Sequence, residues 1–97
     1  MGKWDSLGQF EQVVLGVIMS TLNAYAVPIQ AKVEQLLGKP VRFASIYTAL
    51  DRLEEKGYVT SRLGGATAER GYQPKRYYTI TPSGDMALRH ARSRSGF

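Results

Sequence analysis

Three breaks in an otherwise apolar-periodic chain constrain its fold most: Gly38 with Pro40, then Gly57, then Thr81-Pro82. Each interval between them is long enough for one helix or one strand pair and no more. Before the first break, Leu7, Phe10, Val14, Val17 and Ile18 recur at helical spacing, which predicts a helix over 7–22 with Ser6 as its cap. Val13 and Leu15 widen that stripe beyond the arc of about 100° that a single-layer core needs. A second protomer is the expected cover for the surplus.

After an interruption at Asn23–Ala26, Pro28 suits the first turn of a second helix, where its missing N–H has no intrahelical partner to lose. Val27, Ile29, Val33, Leu36 and Leu37 carry that helix to Gly38. A third helix is expected over 43–56, with Phe43, Ile46, Tyr47, Leu50 and Leu53 on its apolar side and Gly57 ending it. Tyr58–Leu63 and Arg76–Thr81 favour strands, and the glycine-bearing polar stretch 64–74 between them makes a hairpin with a long tip. A tip of that length in a small domain is more often functional or mobile than idle. Thr81 then caps, and Pro82 starts, a last helix through Met86, Leu88 and Ala91. Helices, hairpin and closing helix in this order predict an α+β, mainly helical fold of the winged helix-turn-helix type: a three-helix core, a two-stranded β-wing and a C-terminal helix.

Composition narrows the chemistry. At 97 residues the chain holds one domain, whose isolated core is only moderately stable without a partner. It has no cysteine and one histidine, His90, so disulfides and Cys-based zinc sites are excluded and no metal or other cofactor is expected. No apolar run reaches the roughly 18 residues of a membrane span, and Met1–Ser6 lacks the pattern of a secretory leader, so the expected location is the cytoplasm. Acids scattered over helix faces, with neither a cysteine nucleophile nor a histidine nearby, argue against an enzyme. The net charge of +5 suits a polyanion. From position 62 onward Arg62, Arg70, Lys75, Arg76, Arg89, Arg92 and Arg94 oppose only Glu69 and Asp85, which concentrates the excess in the hairpin and last helix.

Major-groove readout of DNA needs a helix anchored on one side that presents short or bidentate polar groups on the other. The third helix fits, because Ser45, Thr48 and Arg52 lie opposite Ile46, Leu50 and Leu53 at about 100° per residue. A merely solvated face is the competing reading, in which Arg52 pairs with Asp51 or Glu55. Arg42 and Lys39 at the helix entrance are placed for phosphate oxygens. Tyr47, at the edge of the apolar side, is either core or core with its hydroxyl on a phosphate. In the wing, Arg62, Arg70, Lys75 and Arg76 are candidate phosphate or minor-groove contacts, against the alternative of a solubilising loop. Strand alternation turns Tyr78 and Ile80 inward and leaves Tyr77 outward as a further contact. Trp4 and Phe10 are packing residues or effector-pocket aromatics, whereas Arg89, Arg92 and Arg94 read as a solvated helix face. The rival function is a winged helix that binds protein.

Ser45-Ile-Tyr-Thr-Ala-Leu-Asp-Arg-Leu-Glu-Glu-Lys-Gly-Tyr-Val59, followed by Gly71-Tyr-Gln-Pro-Lys-Arg-Tyr-Tyr-Thr-Ile-Thr-Pro-Ser-Gly84, resembles the PadR family of bacterial transcriptional regulators. Phe10-Glu-Gln-Val-Val-Leu15 is similar to that family's first helix. The resemblance implies a homodimeric repressor bound to an inverted repeat of double-stranded DNA, with 1–81 as the DNA-binding domain and 82–97 as a helix contributing to a dimer built from the first and last helices. Some relatives release DNA when a small aromatic effector binds. Two features depart from the pattern: Arg42 stands where relatives often carry a capping serine, and the C-terminal region is one short helix.

Overall fold

A computed structural model describes residues 7–64 and 75–94. Its elements are α1 (Gln9–Met19), α2 (Ala26–Leu37), α3 (Phe43–Glu55), β1 (Val59–Leu63), β2 (Arg76–Ile80) and α4 (Pro82–Arg94). The winged helix-turn-helix order holds, with the strands antiparallel and Val59 opposite Ile80 through Leu63 opposite Arg76.

Helix α1 is shorter than its apolar pattern predicts. Ser6 lies outside the described residues; Gly8 is the N-cap, and its N–H donates to the carboxylate of Glu11 at 3.2 Å. At the other end the chain turns after Met19, leaving Leu22 almost fully exposed, and Asn23 takes a left-handed conformation with φ of 56°. That reversal has a structural consequence. It brings the Ala24 carbonyl within 2.8 Å of the Tyr78 N–H, so the α1–α2 connection pairs with the outer edge of β2 and ties the wing to the helices.

The core joins Val14, Leu15, Val17 and Ile18 of α1, Ile29 and Val33 of α2, Ile46, Ala49, Leu50 and Leu53 of α3, and Ala87 and Leu88 of α4, closed over by Tyr58, Val59 and Tyr78. Phe43 departs from its expected place on the apolar side of α3. The buried arc is drawn by Ile46, Ala49, Leu50 and Leu53, and Phe43 stands at its margin with 40% of its surface exposed. Ala49, small enough for α1 to approach closely, takes the buried position instead.

Two junctions hold α3 and α4 in place. Glu11 is buried, and the Lys56 ammonium donates to the same oxygen that receives the Gly8 N–H, at 2.8 Å, fastening the start of α1 to the end of α3. Thr81 acts as the expected cap of α4: its hydroxyl oxygen accepts the Gly84 N–H at 3.0 Å, and its own O–H donates to the Gly57 carbonyl at 2.7 Å. Gly84 itself is pressed against the Tyr58 carbonyl.

Candidate nucleic-acid interface

The turn that delivers α3 is built from α2. Gly38 ends α2 at φ of 69°, and its N–H donates to the Glu34 carbonyl at 2.8 Å. Gln30 and Glu34, one helical turn apart, then hold both backbone polar groups of Val41. The Gln30 side-chain amide donates to the Val41 carbonyl at 2.8 Å, and the Val41 N–H donates to the Glu34 carboxylate at 2.8 Å. Neither side chain stands out in the sequence as functional, because its partner is backbone. Glu34→Ala removes the acceptor from a half-buried N–H and is expected to lower stability by about 1–2 kcal/mol. The check is a urea titration in which the midpoint falls at unchanged slope.

Arg42 enters α3 with no side-chain cap, so the first amides of the helix are open to an external acceptor. Arg42, Ser45, Thr48 and Arg52 are all exposed and line one groove of about 530 Å³, closed on its far side by Gly8 and Gln9 at the start of α1. Gln9 also lines this groove, which the sequence pattern does not suggest; it belongs to α1 and meets the groove through the crossing of the two helices. The Thr48 hydroxyl donates to the Ala44 carbonyl at 2.9 Å, which leaves its oxygen lone pairs and its methyl outward. Charge is graded along the helix. Lys39 and Arg42 stand at its entrance, whereas in its second half exposed Arg52 lies among exposed Asp51, Glu54 and Glu55. The entrance of α3 therefore favours an anion, and Arg52 offsets part of the acidic charge beyond it.

Tyr47 is half exposed rather than core, with its ring 6.4 Å from that of Phe43. Tyr77 is half-buried and meets the edge of Tyr25 at 5.8 Å between ring centres, so its outward position serves a contact within the fold. The wing cations are held at their root. Lys75 lies 4.0 Å from the centre of the Tyr25 ring, and Arg62 lies 4.9 Å from that of Tyr77 while donating to the Asn23 side chain at 3.4 Å. Arg76 donates to the Ser61 hydroxyl at 3.0 Å, which in turn donates to Glu54 at 2.7 Å. Burial raises the pKa of the Tyr78 phenol, with the Arg76 cation opposing it, so this core tyrosine stays neutral at physiological pH. Arg70 and Trp4 lie outside the described residues. On α4, Arg89 pairs with Asp85 at 3.1 Å on an exposed face, whereas the Arg92 guanidinium reaches across to Gly16 of α1.

The family model described as the transcriptional regulator PadR-like family matches residues 14–90. Solved structures share the fold. A PadR-like transcription factor from Bacteroides fragilis superposes with a TM-score of 0.79 at 21% identity, over 92% of this chain and 82% of that one. A transcriptional regulator from Clostridium thermocellum gives 0.75 at 22% identity, over 89% of this chain and 81% of that one. Bacillus subtilis PadR, solved in complex with operator DNA, gives 0.74 at 22% identity; the match covers 91% of this chain but 48% of that protein. Among curated proteins, none matches.

Proposed function

Because the chain belongs to the PadR-like family of transcriptional regulators, whose members are not enzymes, we propose that it is a cytoplasmic repressor that binds an inverted-repeat operator as a homodimer. The observation that carries this reading is the single groove in which Arg42, Ser45, Thr48 and Arg52 stand exposed beside one another on a helix moored by four buried side chains. Ser45 and Thr48 allow close approach to base edges, Arg52 supplies a bidentate donor, and Arg42 joins the open amides of α3 in holding a phosphate. Lys75, Arg76, Arg62 and Arg70 then serve the flanking backbone from the wing. Among the described residues no helix is long and apolar enough to cross a membrane.

Residues 1–81 form the reading domain in this proposal, and residues 82–97 contribute to the dimer. Support for the dimer comes from the outer side of α1, where Phe10, Val13, Val17 and Met19 border a groove of about 760 Å³ with Leu36, Leu37 and Arg92. Of the two residues that widen the apolar stripe of α1, Leu15 is already buried in the core, so a second copy on that face would cover Val13 and exposed Met19; a monomeric mass by light scattering at micromolar concentration would refute it.

The experiment is a mobility-shift titration on a duplex carrying the region upstream of the gene. Affinity is expected to fall steeply with salt, as counterions released from phosphates drive binding. Arg52→Ala should relax sequence preference and weaken the preferred duplex by about 10- to 100-fold, whereas Arg76→Ala should weaken all duplexes alike and flatten the salt slope by about one unit. An absent or salt-independent shift would favour the protein-binding alternative, and an Arg52→Ala protein with unchanged preference would remove this residue from the reading face.

A further inference from the structure

Phe43 and Tyr47 form the most exposed apolar feature of α3. They are 40% and 51% exposed, they lie one turn apart with ring centres 6.4 Å from each other, and exposed Ala44 stands beside them. The intervening Ile46 is fully buried, so the helix does not lack an apolar anchor, and the two rings are surplus to the core. They sit in the first two turns, on the flank of α3 that turns away from the groove of Arg42, Ser45, Thr48 and Arg52, with Asp51 one turn beyond Tyr47. Whatever covers this patch is therefore apolar at the point of contact and adjoins whatever Ser45, Thr48 and Arg52 engage. In the major groove of DNA one group meets both conditions: the 5-methyl of thymine, which projects from the base edge between two rows of phosphates.

We propose that Phe43 and Tyr47, with the Ala44 methyl, form an apolar edge that reads thymine methyl groups next to the bases read by Ser45, Thr48 and Arg52. The assignment rests on the reading of α3 as the major-groove helix. It divides the work of the helix: the flank towards α1 supplies polar readout, and the opposite flank recognises T over C by its methyl. Tyr47 suits this use, because its ring offers an apolar surface while its hydroxyl stays hydrated or reaches a phosphate.

Duplexes recovered by the wild-type protein from a randomised pool provide the probe, resynthesised with deoxyuridine at each thymidine in turn. Uracil pairs as thymine does and lacks only the methyl. At thymines beneath Phe43 or Tyr47, the wild type is expected to lose about fourfold in affinity per methyl, the equivalent of one methylene returned to water. Phe43→Ala should bind the thymine duplex more weakly than the wild type and no longer distinguish thymine from uracil at its position. Tyr47→Phe, which keeps the ring, should still discriminate. Equal wild-type affinity for every uracil duplex, or recovered sites without thymine, would overturn the proposal while leaving DNA reading intact. Failure of the pool to enrich any sequence would instead sink the DNA-reading function, and this inference with it, before uracil is introduced. The comparison of duplexes with wild-type protein alone decides the matter even if the Phe43 variant does not fold.

Discussion

Gly84→Ala is expected to lower stability by about 3 kcal/mol, although alanine is the better helix former and Gly84 lies in the first turn of α4. A methyl at this position would overlap the Tyr58 carbonyl oxygen and stand 2.9 Å from Cγ1 of Ile80. The carbonyl cannot yield cheaply, because it accepts the Thr81 N–H at 3.0 Å and so forms part of the junction between β1 and α4. Accommodation therefore requires α4 to lift from the hairpin, which also disturbs Ala87 and Leu88 in the core. For a domain of this size the loss corresponds to a melting temperature lower by about 12–20 °C. A melting temperature within about 2 °C of the wild type would show that the close approach is not a constraint.

Lys56→Met is the second large effect, at about 2–4 kcal/mol. Its partner Glu11 is buried, and removing the cation leaves a carboxylate whose remaining contact among the described residues is the Gly8 N–H at 3.2 Å. An uncompensated charge in that position costs more than the pair contributed, since desolvation is no longer offset. The partial exposure of Lys56 keeps the estimate below that of a fully buried pair. Replacing both residues, as Glu11→Leu with Lys56→Met, should recover much of the loss, because neither charge of this pair is then left without the other. Denaturant midpoints for the two single variants and the double variant measure this directly, and losses that simply add would show that the two groups do not act as a pair.

The contrast between these junctions and the helices explains what could be read before any coordinates. Helix α3 was legible because Ile46, Leu50 and Leu53 repeat within one turn of each other, and the outward position of Ser45, Thr48 and Arg52 follows from the same period. The α4 cap was legible because Thr81 bonds to Gly84, three positions on. Phe43 misled, since periodicity assigns it to the apolar flank, whereas the crossing of α1 over α3 brings the buried arc to Ala49. Tyr77 was legible in direction, but not in its contact with Tyr25, which depends on how the α1–α2 connection meets β2.

What the chain's own order of residues determined is the set of elements, the boundaries marked by Gly38, Gly57 and Thr81-Pro82, and the polar flank of α3, since these follow from dihedral preferences and from bonds between near neighbours. Tertiary structure alone decided that Glu11 meets Lys56, 45 positions away, that Gln30 and Glu34 grip Val41, and that Gln9 borders the groove of Arg42, Ser45, Thr48 and Arg52. The physical reason is range. A helix forms from interactions within a turn or two, but which side chains face one another across helices depends on the angle and depth at which whole surfaces pack, and no short stretch of sequence encodes that.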